Sequence, residues 1–109
     1  MDDSIGGVGP TPEDPRAEYK QDFSKSVDLF QKSLDGYQSS QIPKQQAMYK
    51  DVMERTLQIM NETAKLCLSK SAQGQEKTLV KDYENYMSKQ TPEGLQKLNT
   101  DIDNLKEKL

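Results

Sequence analysis

The stretch FSKSVDLFQKSLDGY, residues 23–37, decides the fold class. Its large apolar residues recur at spacings of four, three, four and three, with Leu29 as the one extra: Phe23, Val27, Phe30, Leu34 and Tyr37. This spacing places the five side chains on one narrow face of an α-helix, and such a face must pack against another element. The sequence therefore predicts a helix over about 15–38 whose apolar seam has a partner.

The second helix is predicted over residues 43–69, where no breaker interrupts the chain and Pro43 suits the first turn. One apolar stripe along it consists of Met48, Val52, Ile59 and Leu66, with Thr56 and Thr63 filling its gaps. A second, neighbouring stripe consists of Tyr49, Met53, Leu57, Met60, Ala64, and Cys67 or Leu68. A helix with two apolar stripes is expected to contact two neighbours. We therefore expect this helix at the centre of the fold, with the seam of the first helix packed on it.

Two further helices follow. The small polar segment SKSAQGQ, residues 69–75, predicts a turn and a third helix over about 75–90. The sequence TPEG then supplies Thr91 as an N-cap and Pro92 at the first helical position of a helix over 92–109. No strand-like alternation is present. The sequence predicts an all-α fold, a small antiparallel bundle of three to four helices, and leaves open whether the last two are separate or one kinked helix.

Residues 1–14 are predicted to form a disordered acidic tail. The first fifteen residues contain three Gly, three Pro and four acidic residues, with no base. This composition does not support a helix or a strand. Residues 15–109 then form the helical domain. The whole chain has a net charge of only −3, with 15 basic and 18 acidic residues, and is therefore expected to fold around a thin core.

The residue types of the chain argue against catalysis and against several ligands. There is no histidine, and the only cysteine, Cys67, has no Cys or His with which to share a metal. The carboxylates of Asp82 and Glu84 are expected to lie on ordinary solvated helix faces. We therefore expect no enzyme activity, no cofactor, no metal and no small-molecule substrate. Basic residues are scattered, which argues against nucleic acid.

No apolar run of membrane-spanning length occurs, and the start lacks the pattern of a signal peptide. The expected location is cytoplasmic, or outside the cell after export without a cleaved signal.

The candidate partner interface is the seam of the last helix, together with two tyrosines of the third: Leu95, Leu98, Ile102, Leu105, Leu109, Tyr83 and Tyr86. The seam repeats at spacings of three, four, three and four, as a coiled-coil helix does. The tyrosines suit either a partner surface or the rim of a thin core.

Two functions are compatible with these patterns. The first is a non-enzymatic protein–protein interaction module, adaptor-like or chaperone-like, that binds a partner through helix packing. The alternative is a self-assembling structural or secreted subunit. The segment TPEGLQKLNTDI and the overall layout, about a third of the chain, are similar to bacterial secretion-apparatus subunits, their chaperones and secreted virulence factors.

The two functions predict different surfaces. A monomeric module buries the seams of the first and last helices and leaves one modest apolar patch. A self-assembling subunit leaves a whole seam unpaired, which the sequence places at residues 95–109.

Overall fold

The computed structural model describes residues 15–109, and the predicted tail over 1–14 lies outside the described residues. Four helices make up this part of the chain: α1 (Pro15–Ser39), α2 (Pro43–Cys67), α3 (Lys70–Ser88) and α4 (Pro92–Glu107). No strand occurs between residues 15 and 109. The prediction of an all-α bundle is confirmed, and α3 and α4 are separate helices.

The helices form two antiparallel hairpins that pack against each other. The most extensive contact joins α1 to α2, the next joins α3 to α4, and smaller contacts join α2 to α3 and α1 to α4. The connections contain only two or three residues, so successive helices must run antiparallel. Across the two hairpins, the rings of Phe30 and Tyr83 meet edge to face with their centroids 5.7 Å apart.

The first turn of α3 differs from the prediction. Residues 70–74 are helical rather than a turn, because Ser69 acts as the N-cap and its Oγ accepts a hydrogen bond from the Ala72 N–H at 3.2 Å. Gly74 is tolerated inside the helix at a cost of about 1 kcal/mol relative to alanine. The fully buried Ala72 gives this turn the packing that offsets the cost.

The seam of α1 packs inside the same chain. Its residues Phe23, Val27, Phe30 and Leu34 are fully buried, and Tyr37 packs at the edge of the core. From α2 the core takes Met53, Leu57, Met60 and Ala64. Burying a large apolar side chain contributes about 1.5–3 kcal/mol, so the α1–α2 contact is a major source of stability.

A close approach of backbone and ring fixes one end of the α1–α2 hairpin. A Cβ atom on Gly36 would lie 2.6 Å from Cε1 and Cζ of Tyr49, which is well inside van der Waals contact. At the same end, Gln38 Nε2 donates to the hydroxyl of Tyr86, and Gln90 Nε2 donates to the hydroxyl of Tyr37 at 2.8 Å. These hydrogen bonds tie α1 to α3 and to the α3–α4 connection.

Only one of the two stripes of α2 is buried, contrary to expectation. The stripe of Met48, Val52, Ile59 and Leu66 faces outward. The reason is the position of α3, which contacts α2 on the opposite flank, where Tyr83 Oη donates to Glu54 Oε2 at 3.4 Å. The second neighbour of α2 therefore covers a polar flank and leaves an apolar stripe in solvent.

None of the four described helices combines the length and the apolar character that crossing a membrane requires.

Candidate interaction surface

The structure places the predicted partner interface inside the chain's own core. In α4, Leu98, Ile102 and Leu105 are fully buried. Leu95 and Leu109 are half-buried and pack against the same core. A partner would reach this seam only if α4 moved away from the other helices, and its use by a partner stays a prediction.

The two tyrosines of the predicted interface are also buried, and each has a polar partner within the chain. The Tyr83 hydroxyl faces Glu54, and burial, followed by the charge of that carboxylate, raises the pKa of Tyr83. The Tyr86 hydroxyl accepts from Gln38. Both rings thus serve the core, with the hydroxyl ends hydrogen-bonded to neighbouring helices.

The uncovered stripe of α2 is the exposed apolar surface that the fold leaves on this helix, and we call it the α2 face: Met48, Val52, Ile59 and Leu66. Met48 is 54% exposed, Ile59 43% and Leu66 50%, whereas Val52 is half-buried. The spacings of four, seven and seven keep all four on one side of the helix over roughly 27 Å. The α2 face is therefore a set of apolar residues aligned on one side of the helix, with about two turns between Val52, Ile59 and Leu66.

One exposed apolar residue of α1, Leu29, lies seven residues before Gly36 and therefore on the same side of the helix, where Gly36 approaches the Tyr49 ring of α2. Ser26 and Ser33 are buried, and Leu29, one turn from each, is 48% exposed. The opposite flank of α1 contacts α4, because Lys106 Nζ reaches Gln31 Oε1 at 2.6 Å and Asp28 Oδ1 at 3.4 Å. Leu29 consequently lies on the outer side of the α1–α2 hairpin, as the α2 face does.

Charged residues border the α2 face on its side away from α1. Asp51 and Arg55 form an ion pair of 3.0 Å, one turn apart. Glu62 and Lys65 follow further along the helix, and both are exposed. This border carries two acids and two bases, so it is neutral overall but patterned in sequence order as acid, base, acid, base.

A buried carboxyl lies between α2 and α3. Glu76 is only 2% exposed, and its Oε2 has no hydrogen-bond partner among residues 15–109. Burial raises the pKa of Glu76, although the charges of Lys77 and Lys65 lower it. The side chain lines a groove of about 480 Å³ together with the apolar Leu57 and Val80. Burial therefore favours the protonated, neutral form of this carboxyl.

A second buried carboxyl lies between α3 and α4. Asp101 is 7% exposed, and its Oδ2 lacks a hydrogen-bond partner in the described part of the chain. Burial, then the hydrogen bond and charge of Asp82, raise the pKa of Asp101 to about 7, whereas Lys97 and Gln75 act in the opposite direction. Asp82 is therefore not the ordinary solvated carboxylate that the sequence predicts, because it faces Asp101 across the α3–α4 hairpin.

Cys67 is the last residue of α2, and its thiol has a hydrogen-bond partner one turn earlier in the same helix. Its Sγ donates to the backbone carbonyl of Thr63 at 3.2 Å, and burial raises its pKa despite the nearby charge of Lys20. A raised pKa keeps the sulfur protonated and weakly nucleophilic at neutral pH. Between residues 15 and 109, no group of three or more His, Cys, Asp or Glu side chains is placed to hold a metal ion.

Comparison of the chain with protein-family models, with curated proteins and with solved structures gives no match in any of the three.

Sequence patterns identify the residues of the α2 face but not their exposure. The sequence signal for this surface is the second apolar stripe of α2, because the neighbouring helices bury only one of the two stripes. Which stripe stays open depends on the flank that α3 occupies, and this is a property of the assembled fold.

Proposed function

We propose that this chain is a non-enzymatic protein–protein interaction module, which binds a partner by packing a helix along the α2 face. The observation that carries the proposal is the contrast between covered and open apolar surfaces. The seams of α1 and α4 close within the chain, and the α2 face remains in solvent. One modest apolar patch on a closed bundle is the surface expected of a module rather than of a subunit with an unpaired terminal seam.

The shape of the α2 face suits a helical partner. Single exposed apolar residues are common on protein surfaces, but apolar residues aligned along one side of a helix and bordered by charges are typical of an interaction site. The stripe is straight, about one side chain wide and roughly 27 Å long. An amphipathic helix of similar length would cover it with residues at spacings of three and four, which is a recurring mode of peptide recognition.

The proposal that the module is not an enzyme rests on residue chemistry. The chain has no histidine, and its one thiol, Cys67, is half-buried with a raised pKa. Glu76 and Asp101 are carboxyls with raised pKa values, but Glu76 lines the groove between α2 and α3, whereas Asp101 of α4 faces Asp82 of α3. A pair of acids that cannot face the same substrate does not support acid–base catalysis.

The proposal can be tested by selecting helical peptides from a displayed library on the immobilised protein. We expect enrichment of amphipathic helices on the native chain and loss of their binding to the double variant Ile59→Asp with Leu66→Asp. The control carries the same charge change on the outer surface of α4, as Gln96→Asp with Asn99→Asp. Circular dichroism should show that both variants remain folded. Selected peptides that bind all three proteins equally, or a failure to enrich any helix, would contradict the proposal.

A second candidate function, self-assembly, is favoured by one observation. The charges that border the α2 face are arranged so that the face is complementary to itself in one orientation.

A further inference from the structure

We propose that the partner of the α2 face is the α2 face of a second copy of this chain, packed antiparallel about a twofold axis. This inference rests on the proposed function and names the partner of the same surface. It is carried by the register of apolar and charged residues along α2, and by the exposure of those residues.

The apolar residues follow a heptad. Val52, Ile59 and Leu66 are spaced by seven and occupy the first core position of a coiled-coil repeat, conventionally a. The other core position, d, falls on Met48, Arg55 and Glu62. In an antiparallel pair of helices, each a residue meets a d residue of the opposite helix. A homodimer must therefore accommodate Arg55 and Glu62 within its seam.

One antiparallel register accommodates them, with the twofold axis at the level of Leu57. Leu66 then meets the second copy's Met48, so that both ends of the interface are closed by apolar pairs. Ile59 packs on the aliphatic stem of the second copy's Arg55, and Val52 packs on the stem of the second copy's Glu62. Long charged side chains cover apolar surface in this way while their charged ends stay in water.

The charges at the border support the same register. Asp51 lies at about the level of the second copy's Lys65, and the twofold axis repeats this pair. The charged ends of Arg55 and the second copy's Glu62 lie within about one turn of each other. Opposite charges at the flanks of a coiled coil select its partner and orientation. The antiparallel arrangement thus brings every acid of the border close to a base.

The parallel arrangement is disfavoured by the same residues. In a parallel homodimer the core positions lie beside their own copies, so Arg55 would face Arg55 and Glu62 would face Glu62. Like charges placed in contact cost free energy, most of all within a seam. The sequence of α2 therefore discriminates between the two orientations.

The interface is expected to be weak. Three of its four apolar side chains are about half exposed in the monomer, so dimerisation removes less surface than the roughly 800 Å² per partner of a standard interface. We expect a dissociation constant of about 10–500 µM. Leu29 adds apolar surface from α1 on the same outer side of the hairpin.

The test is the molar mass by light scattering on a sizing column, from about 5 µM to about 1 mM protein. We expect a mass of 12.4 kDa at the dilute end that rises toward twice this value. Ile59→Asp should hold the mass at one chain up to the highest concentration, and the control Asn99→Asp should behave as the native chain. A constant mass of one chain for the native protein, or a dimer that Ile59→Asp leaves intact, would overturn the inference.

A charge-reversal cycle tests the orientation without touching the apolar residues. Asp51→Lys and Lys65→Asp should each weaken dimerisation by about tenfold, and the double variant should restore it. The two residues lie fourteen positions apart on one helix, roughly 21 Å, so the rescue cannot arise within a chain. Absence of rescue in the double variant would overturn the antiparallel register.

The failures of the two proposals are distinguishable. If the native chain stays monomeric while selected helices still bind the α2 face, the second copy is the wrong partner and the interaction module stands. If neither a second copy nor a helix binds the face, the proposed function fails as well.

Discussion

Replacement of Asp101 by asparagine should stabilise the protein at neutral and alkaline pH. Asp101 is buried against Asp82, and its pKa is raised from 3.8 to about 7, primarily by burial. The folded chain therefore holds a proton that the unfolded chain releases between about pH 4 and pH 7. Because the folded state binds more protons in this window, the free energy of unfolding falls as the pH rises through it.

The expected change in the free energy of unfolding follows from the shift in the pKa of Asp101. One pKa unit corresponds to about 1.36 kcal/mol, so a shift of about three units sets an upper bound near 4 kcal/mol. Water that enters around the ionised pair will lower this value, and we expect about 1–2 kcal/mol at pH 8. Asparagine cannot ionise, and its amide can donate to Asp82 as the protonated carboxyl does. The variant Asp101→Asn should therefore avoid the fall in the free energy of unfolding that the native chain shows as the pH rises.

Urea unfolding followed by circular dichroism measures the effect at about pH 5 and about pH 8. With the slopes typical of small proteins, the midpoint of Asp101→Asn should exceed that of the native chain by about 1 M at pH 8, and the two should nearly coincide at pH 5. Asp103→Asn, an exposed carboxyl on the same helix, is the control and should show no such gain. A gain of equal size at both pH values, or a less stable variant at pH 8, would refute the argument.

Three further predictions concern the packing and capping of the helices. Ile102→Ala, in the buried seam of α4, should lower the free energy of unfolding by about 2–5 kcal/mol. Ile59→Ala, on the exposed α2 face, should lower it by less than about 1 kcal/mol. Equal losses for the two variants in urea unfolding would contradict the assignment of one surface as buried and the other as exposed. Gly36→Ala should destabilise the chain by about 1 kcal/mol despite the higher helix propensity of alanine, because the new Cβ meets the Tyr49 ring. The same change in a Tyr49→Ala background should become stabilising, and a loss that persists there would contradict the proposed clash. Ser69→Ala should cost about 1 kcal/mol and speed amide exchange in the first turn of α3; unchanged exchange would show that the N-cap contributes nothing.

The helices and the buried seams could be predicted because their signals are local. The spacing of Phe23, Val27, Phe30 and Leu34 specifies one helix face, and the structure buries all four. Thr91 with Pro92 likewise predicted the start of α4, where the Thr91 Oγ1 accepts from the Gly94 N–H at 3.0 Å. These features depend on residues within a few positions of one another.

The start of α3 and the exposure of the α2 face could not be predicted in the same way. The helix begins before Gly74 because Ser69 caps it and Ala72 packs into the core, so a tertiary contact outweighs the local preference of the glycine. Both stripes of α2 have the spacing of a buried face. The flank taken by α3 decides between them, and that choice is made by residues distant in the chain.

The paired carboxyls were missed for a related reason. Asp82 and Asp101 are nineteen positions apart, and neither has an unusual neighbourhood in sequence. They meet only because α3 and α4 form an antiparallel hairpin with these two positions on facing sides. A charge that is ordinary on an isolated helix becomes costly when a second helix covers it with another acid.

The central claim is that one stripe of α2 is open while its neighbour is buried, and three methionines on this helix report on it directly. Mild peroxide oxidation of the dilute protein, followed by mass spectrometry of peptides, gives the rate at each sulfur. Met48 is 54% exposed, whereas Met53 and Met60 are fully buried. We expect fast oxidation of Met48 and strong protection of the other two. Oxidation of Met53 or Met60 as fast as that of Met48 would contradict it.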